Sequence, residues 1–141
     1  MTPADLARLH GVCFTSPRPW SEAEFAGFLS NRLCFLLTEP GGFLLGRVIA
    51  DEAEVLTIAV DPTLRRAGIG LRLMDRFLTE SARRGATSAF LEVASLNSAA
   101  RALYDRAGFR ESGRRRGYYD RPDGPADDAI LMTCGLAARE A

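Results

Sequence analysis

Glu92, Asn97 and Tyr104 lie close together along the chain, and all three side chains can hold, steer or move a proton. Glu92 belongs to "TSAFLEVA", where Ala89, Leu91 and Val93 alternate with Phe90 and Glu92 in the rhythm of a strand. A carboxylate on a covered strand is costly unless it is hydrogen-bonded or opens onto a cleft. Glu92 is therefore either an edge or surface carboxylate or a general base. Asn97 precedes "SAARALYDRA" and suits a helix cap. Tyr104 shares its helical face with Ala100, Leu103 and Ala107. It is either a packed phenol or a proton donor to a leaving thiolate, whose reference pKa is only about 1.5 units lower.

A second candidate is "RRAGIG" at positions 65–70, which comprises Arg65, Arg66, Ala67, Gly68, Ile69 and Gly70. The first N–H groups of a helix have no partner within it, and they carry a partial positive charge. Glycines there admit an anion close to the backbone. No Gly-Lys-Ser/Thr follows, so this is not a P-loop, and the three-glycine dinucleotide pattern is absent. Read alone, the segment is equally a plain helix start or a cradle for a pyrophosphate.

The elements that must position these residues follow from periodicity and punctuation. "SEAEFAGFLS" opens with a capping box, Ser21 and Glu24, and continues with helical spacing. "LCFLLTE", "FLLGRVIAD" and "EAEVLTIAV" read as three strands, joined too tightly for anything but an antiparallel meander. A helix then runs from Gly68 to Arg84 with Ile69, Leu73, Phe77 and Leu78 on one face, and Gly85 stops it. "TSAFLEVA" is the next strand, followed by the helix after Asn97, which Gly108 ends. "FRESGRRRGYY" and "DDAILMTCGL" are two late strands, and the Asp-Gly in "DRPDGPA" signals a hairpin between them. The expected order is two helices, three strands, helix, strand, helix, two strands. This is a mixed α/β (α+β) domain around one central sheet, with a βαβ passage through "RRAGIG".

At 141 residues, a single domain over 1–141 is the natural expectation. No apolar run is long enough for a membrane span, and "MTPADLARLH" lacks the apolar core of a secretion signal, so a cytoplasmic location is expected. Cys13, Cys34 and Cys134 are isolated, and His10 is the only histidine. Neither a metal site nor a thiol–imidazole nucleophile is expected, and the cysteines read as reduced, mostly packed thiols. All cationic side chains are arginine. Between Leu64 and Arg121 there are thirteen Arg against six acids, which points to a local anionic ligand or a solvated helix surface, not to a nucleic-acid coat.

Taken together, "IAVDP", "RRAGIG", "LEV", Asn97, "ALY" and "GF" resemble the Gcn5-related N-acetyltransferase (GNAT) superfamily over nearly the whole chain. "PWSE" and "GYYDRPDGPADDAILM" resemble its RimI-like members, which acetylate the N-terminal alanine of ribosomal proteins. The resemblance implies the GNAT acyltransferase fold, acetyl-CoA as donor, and a protein or peptide N-terminus as acceptor, with no metal, nucleic acid or membrane. It implies that backbone groups of Ile58, Ala59 and Val60 hold the acetyl and pantetheine portions. Residues Arg65 to Gly70, with Leu71, wrap the pyrophosphate, and Asn97 contacts the pantetheine arm. Glu92 takes the position of the proton acceptor and Tyr104 that of the proton donor. Pro19, Trp20, Tyr118 and Tyr119 border the acceptor groove. Three departures stand out: the family's first strand is short or missing, Arg18 replaces an apolar residue, and Ala94 stands where arginine is frequent. A lysine side chain or small amine as acceptor shares every donor residue with this reading. A CoA-binding regulatory domain would need neither Glu92 nor Tyr104.

Overall fold

The computed structural model describes residues 1–14 and 18–136. Two helices come first, α1 (Pro3–Cys13) and α2 (Glu22–Leu29), each started by a capping box. Thr2 and Asp5 form the first box, and Ser21 and Glu24 the second, so orphan N–H groups at both starts are satisfied by side chains. Then come β1 (Cys34–Glu39), β2 (Gly42–Ile49) and β3 (Glu52–Val60). Helix α3 (Ile69–Arg83), β4 (Ser88–Ala94), α4 (Ser98–Arg106), β5 (Arg110–Tyr119) and β6 (Asp127–Gly135) complete the chain order. This is the element order expected from the sequence.

The six strands form one sheet in the order β1-β2-β3-β4-β6-β5. Every neighbouring pair is antiparallel except β3 and β4, the two joined through α3. The Pro40-Gly41 turn between β1 and β2 uses a left-handed Gly41, φ 85°. The hairpin expected around the Asp-Gly pair is formed, with β5 and β6 antiparallel neighbours, but its turn is not built on Gly124. Gly124 is not among the positive-φ residues, and a longer connection links Tyr119 to Asp127. No strand precedes α1 among the described residues, and β1 stands at one edge of the sheet.

Helix α3 buries Ile69, Leu73, Met74, Phe77 and Leu78 on one face of the sheet, against Leu44, Val55, Leu91 and Ile130. The other face carries a second apolar cluster, in which Leu6 and Phe25 from α1 and α2 meet Phe43, Leu45 and Ala59. Gly46 makes the first packing possible. A Cβ there would lie 2.8 Å from Phe35 and 2.9 Å from Phe77. The sheet is therefore covered on both sides over β1–β3, while β5 forms its opposite edge.

Candidate active site

The site begins with a place where the sheet comes apart. Strands β3 and β4 pair through only three residues each, ending at Glu54 opposite Phe90. Beyond that point β3 continues along β2 to Val60, and β4 continues along β6 to Ala94. A β-bulge sits at the parting: Leu45 pairs with Thr57 but Gly46 pairs with Val55, so Leu56 is the extra residue. Bulges bend the strand that carries them, and here the bend steers β3 away from β4. The far half of each strand turns one backbone edge toward the gap. A cleft of about 920 Å³ passes through it, lined by Ile58, Ala59 and Val60 on one side and Leu91 and Glu92 on the other.

At one mouth of the cleft lies the start of α3. Arg72 N–H to the Gly68 carbonyl is the first helical hydrogen bond, so the N–H groups of Ile69, Gly70 and Leu71 ahead of it have no helical acceptor. Gly68 occupies the N-cap at φ 82° without a side-chain cap, and Arg66 is left-handed too, φ 71°. Arg72 supports this loop from behind. Its Nη1 donates to the Ala67 carbonyl at 3.2 Å while Nε donates to Glu39 at 3.0 Å. Gly70 has a packing role, because a Cβ there would meet Leu103 of α4 at 3.0 Å. Arg65, Arg66, Gly68, Ile69, Gly70 and Leu71 line the cleft, whereas Ala67 is not part of its lining. Asn97 is both a cap and a cleft residue: its Oδ1 accepts from Ala100 N–H at 3.1 Å. Asp127 holds that loop, its Oδ2 accepting from Leu96 N–H at 3.0 Å.

Glu92 points from β4 to the face opposite α3, with its side chain 30% exposed. The Arg115 guanidinium lies 3.3 Å from its Oε1. The register explains the meeting. Ala94, Ala129 and Arg115 form one row across β4, β6 and β5, so two small residues leave Arg115 room to reach diagonally to Glu92. Arg115 also lies over the ring of Tyr118, which is 52% exposed and edge-on to Tyr119. Burial holds the Tyr119 phenol up at about 12, and the nearby Glu92 charge acts in the same direction. Tyr104 is 6% exposed, packs edge-on to Phe109 and lines the cleft. Burial, reinforced by Tyr119, keeps its hydroxyl protonated well above the usual phenol range. The structure thus gathers a carboxylate and two phenols that keep their protons at neutral pH.

The remaining wall comes from α1 and α2. Trp20 stacks on Phe28 at 5.0 Å and lines the cleft, while Pro19 does not. His10, which carries no local motif, is 2% exposed at this wall. Its Nδ1 accepts from Trp20 N–H at 3.0 Å and its Nε2 meets Thr57 Oγ1 at 3.0 Å. Cys13 donates its thiol to the Val60 carbonyl at 3.3 Å and also lines the cleft. No cluster of His, Cys, Asp and Glu suited to a metal ion occurs among the described residues. Local sequence patterns do not announce His10, Arg72 or Arg115, because each works through a partner on a distant element.

A long ligand fits this arrangement if it has an anionic group for the α3 start and an amide-bearing arm for the open strand edges. Residues 4–109 match the model of the acetyltransferase (GNAT) family. The chain is 43% identical over 123 residues to the [ribosomal protein bS18]-alanine N-acetyltransferase of Escherichia coli strain K12, covering 84% of this chain and 82% of that protein. It is 36% identical over 95 residues to the enzyme of that name from Haemophilus influenzae, covering 67% and 64%. Among solved structures, the Escherichia coli ribosomal-protein-S18-alanine N-acetyltransferase superposes with a TM-score of 0.80 at 35% identity, over 96% of this chain and 87% of that one. Ard1 from Thermoplasma volcanium superposes at 0.78 with 26% identity, over 96% and 94%.

Proposed function

The chain belongs to the GNAT acetyltransferase family, and from that premise we propose that it acetylates the α-amine of a protein N-terminus, with the N-terminal alanine of a ribosomal protein as acceptor. It is an acetyl-CoA-dependent N-acetyltransferase. Residues 1–141 are taken as one acetyltransferase domain. The observation that carries the mechanism is the parting of β3 from β4, which opens one passage from the start of α3 to Glu92. The acceptor assignment rests on the relatives, whose names specify N-acetylation of alanine on ribosomal protein S18.

Acetyl-CoA, when bound, supplies the acetyl thioester and a pyrophosphate. The N–H groups of Ile69, Gly70 and Leu71 would hold the pyrophosphate, with Arg65 and Arg66 adding charge at the rim. The gap-facing backbone of Ile58, Ala59 and Val60, and the Asn97 amide, would hold the arm. Trp20, Tyr118 and Tyr119 border the acceptor groove, with Pro19 shaping the loop that presents Trp20. Glu92 takes the surplus proton of the acceptor amine, directly or through water. An α-amine with a reference pKa near 8 is already about one-tenth neutral at pH 7, a smaller demand than lysine at about 10.4. Backbone N–H groups of β3 donate to the oxygen on which charge develops. Tyr104 remains protonated and donates to the departing sulfur. Burial makes Tyr104 a weaker acid than a free phenol, so it serves first as a hydrogen-bond donor to the developing thiolate, and proton transfer follows only once the charge is on sulfur.

The test is a peptide panel incubated with acetyl-CoA and read by mass spectrometry. Peptides with a free N-terminal alanine should be acetylated on the α-amine. Modification of N-blocked, lysine-containing peptides alone would reject the N-terminal assignment.

A further inference from the structure

We propose that His10 is a positioning residue for the acceptor side of the reaction: its imidazole hangs the backbone of Trp20 from Thr57 on β3. This rests on the reading of Trp20 as an acceptor wall. The two hydrogen bonds define the ring's tautomer. Trp20 N–H can only donate, so Nδ1 is the acceptor and Nε2 carries the hydrogen that goes to Thr57 Oγ1. Both bonds are 3.0 Å and the ring is 2% exposed, so water does not compete for either. Stacking fixes the ring plane: Phe14 lies 4.2 Å away on one side, and Trp20 itself 5.3 Å away. Thr57 is a meaningful anchor because it follows the bulged Leu56 and precedes Ile58, where β3 has already left β4. One imidazole therefore sets the spacing between the loop that presents Trp20 and the strand that would hold the acetyl arm. Burial by itself asks only that both ring nitrogens be paired; what these two partners add is a tie between the backbone at Trp20 and a hydroxyl of β3.

The experiment compares His10→Leu, His10→Asn, Thr57→Val and Trp20→Ala. It measures KM for acetyl-CoA, KM for an alanine-initiated peptide, and tryptophan emission. Trp20 is the only tryptophan of the chain, so emission reports its surroundings alone. Loss of one or both bonds should raise the acceptor KM about 3- to 10-fold, the scale of one net hydrogen bond. The acetyl-CoA KM should change less than about twofold, and the emission should shift to the red below the melting temperature. His10→Asn places an amide oxygen near Nδ1 and should recover most of the acceptor KM. Thr57→Val keeps the shape of the site and serves if His10→Leu does not fold. An unchanged acceptor KM and unchanged emission in a folded His10→Leu or Thr57→Val, while Trp20→Ala raises the acceptor KM, would overturn the proposal. An unchanged acceptor KM in Trp20→Ala would instead overturn the acceptor-wall reading, and the emission shift alone would then decide whether His10 holds Trp20.

Discussion

Glu92 and Tyr104 differ in how the fold treats them. Glu92 stays within reach of water and is met by Arg115, while Tyr104 is enclosed. A proton acceptor must exchange with solvent between turnovers, whereas a proton donor must keep its hydrogen until charge appears. Glu92→Gln and Tyr104→Phe should each lower kcat by about 10²-fold. Binding of acetyl-CoA, measured by calorimetry, should be little changed, and near-normal rates in both variants would remove these roles. The types and spacing of Glu92, Asn97 and Tyr104 were readable in the chain because they lie within one strand–helix unit. Arg115 was not, because its proximity to Glu92 depends on β6 entering between β4 and β5 and on the small Ala94 and Ala129 along the way. His10 was equally silent. Its partners Trp20 and Thr57 lie 10 and 47 residues further along the chain.

Most elements could be drawn from periodicity, caps and glycines, because those signals are local. The parting of β3 and β4 could not. Nothing in "EAEVLTIAV" marks Leu56 as a bulged residue, and the consequence depends on which strand lies on either side. The start of α3 was legible in its residue types, but the two glycines turn out to do different work. Gly68 provides a left-handed N-cap and Gly70 admits Leu103 of α4. Gly68→Ala should therefore lose about 1 kcal/mol of stability through its positive φ. It should also raise the KM for acetyl-CoA while the acceptor KM stays constant. Equal changes in both constants would mean that the loop matters only to folding. The far edge of the sheet shows a different solution. β5 is an edge strand carrying Arg114, Arg115 and Arg116, charges that discourage pairing with another chain.

Acid sensitivity belongs to the molecule as a whole. Burial depresses the His10 pKa to about 4, with the nearby Glu24 charge opposing the shift. In the unfolded chain histidine titrates near 6.5. Between these values the unfolded state binds more protons, so stability is complete above about pH 6.5 and falls as the pH drops toward 4. His10 is the only histidine, and the carboxylates depressed by their partners, such as Glu24 and Glu80 at about 2, lose their contribution mainly as the pH falls from about 4.5 toward 2. Urea unfolding should show a loss of about 2 kcal/mol between pH 7 and pH 5. A flat response there would mean that the histidine is solvated. The passage through the sheet has a consequence for the order of events. Helix α3 and the α1–α2 pair pack on opposite faces of the sheet, and the cleft is lined from both; on the proposed reading, donor and acceptor then approach from different sides. Either can arrive first, and neither has to wait for the other's product to leave. Initial-rate lines at varied concentrations of both substrates should then intersect. Parallel lines would instead implicate a covalent relay, with Cys13 as the first thiol to replace.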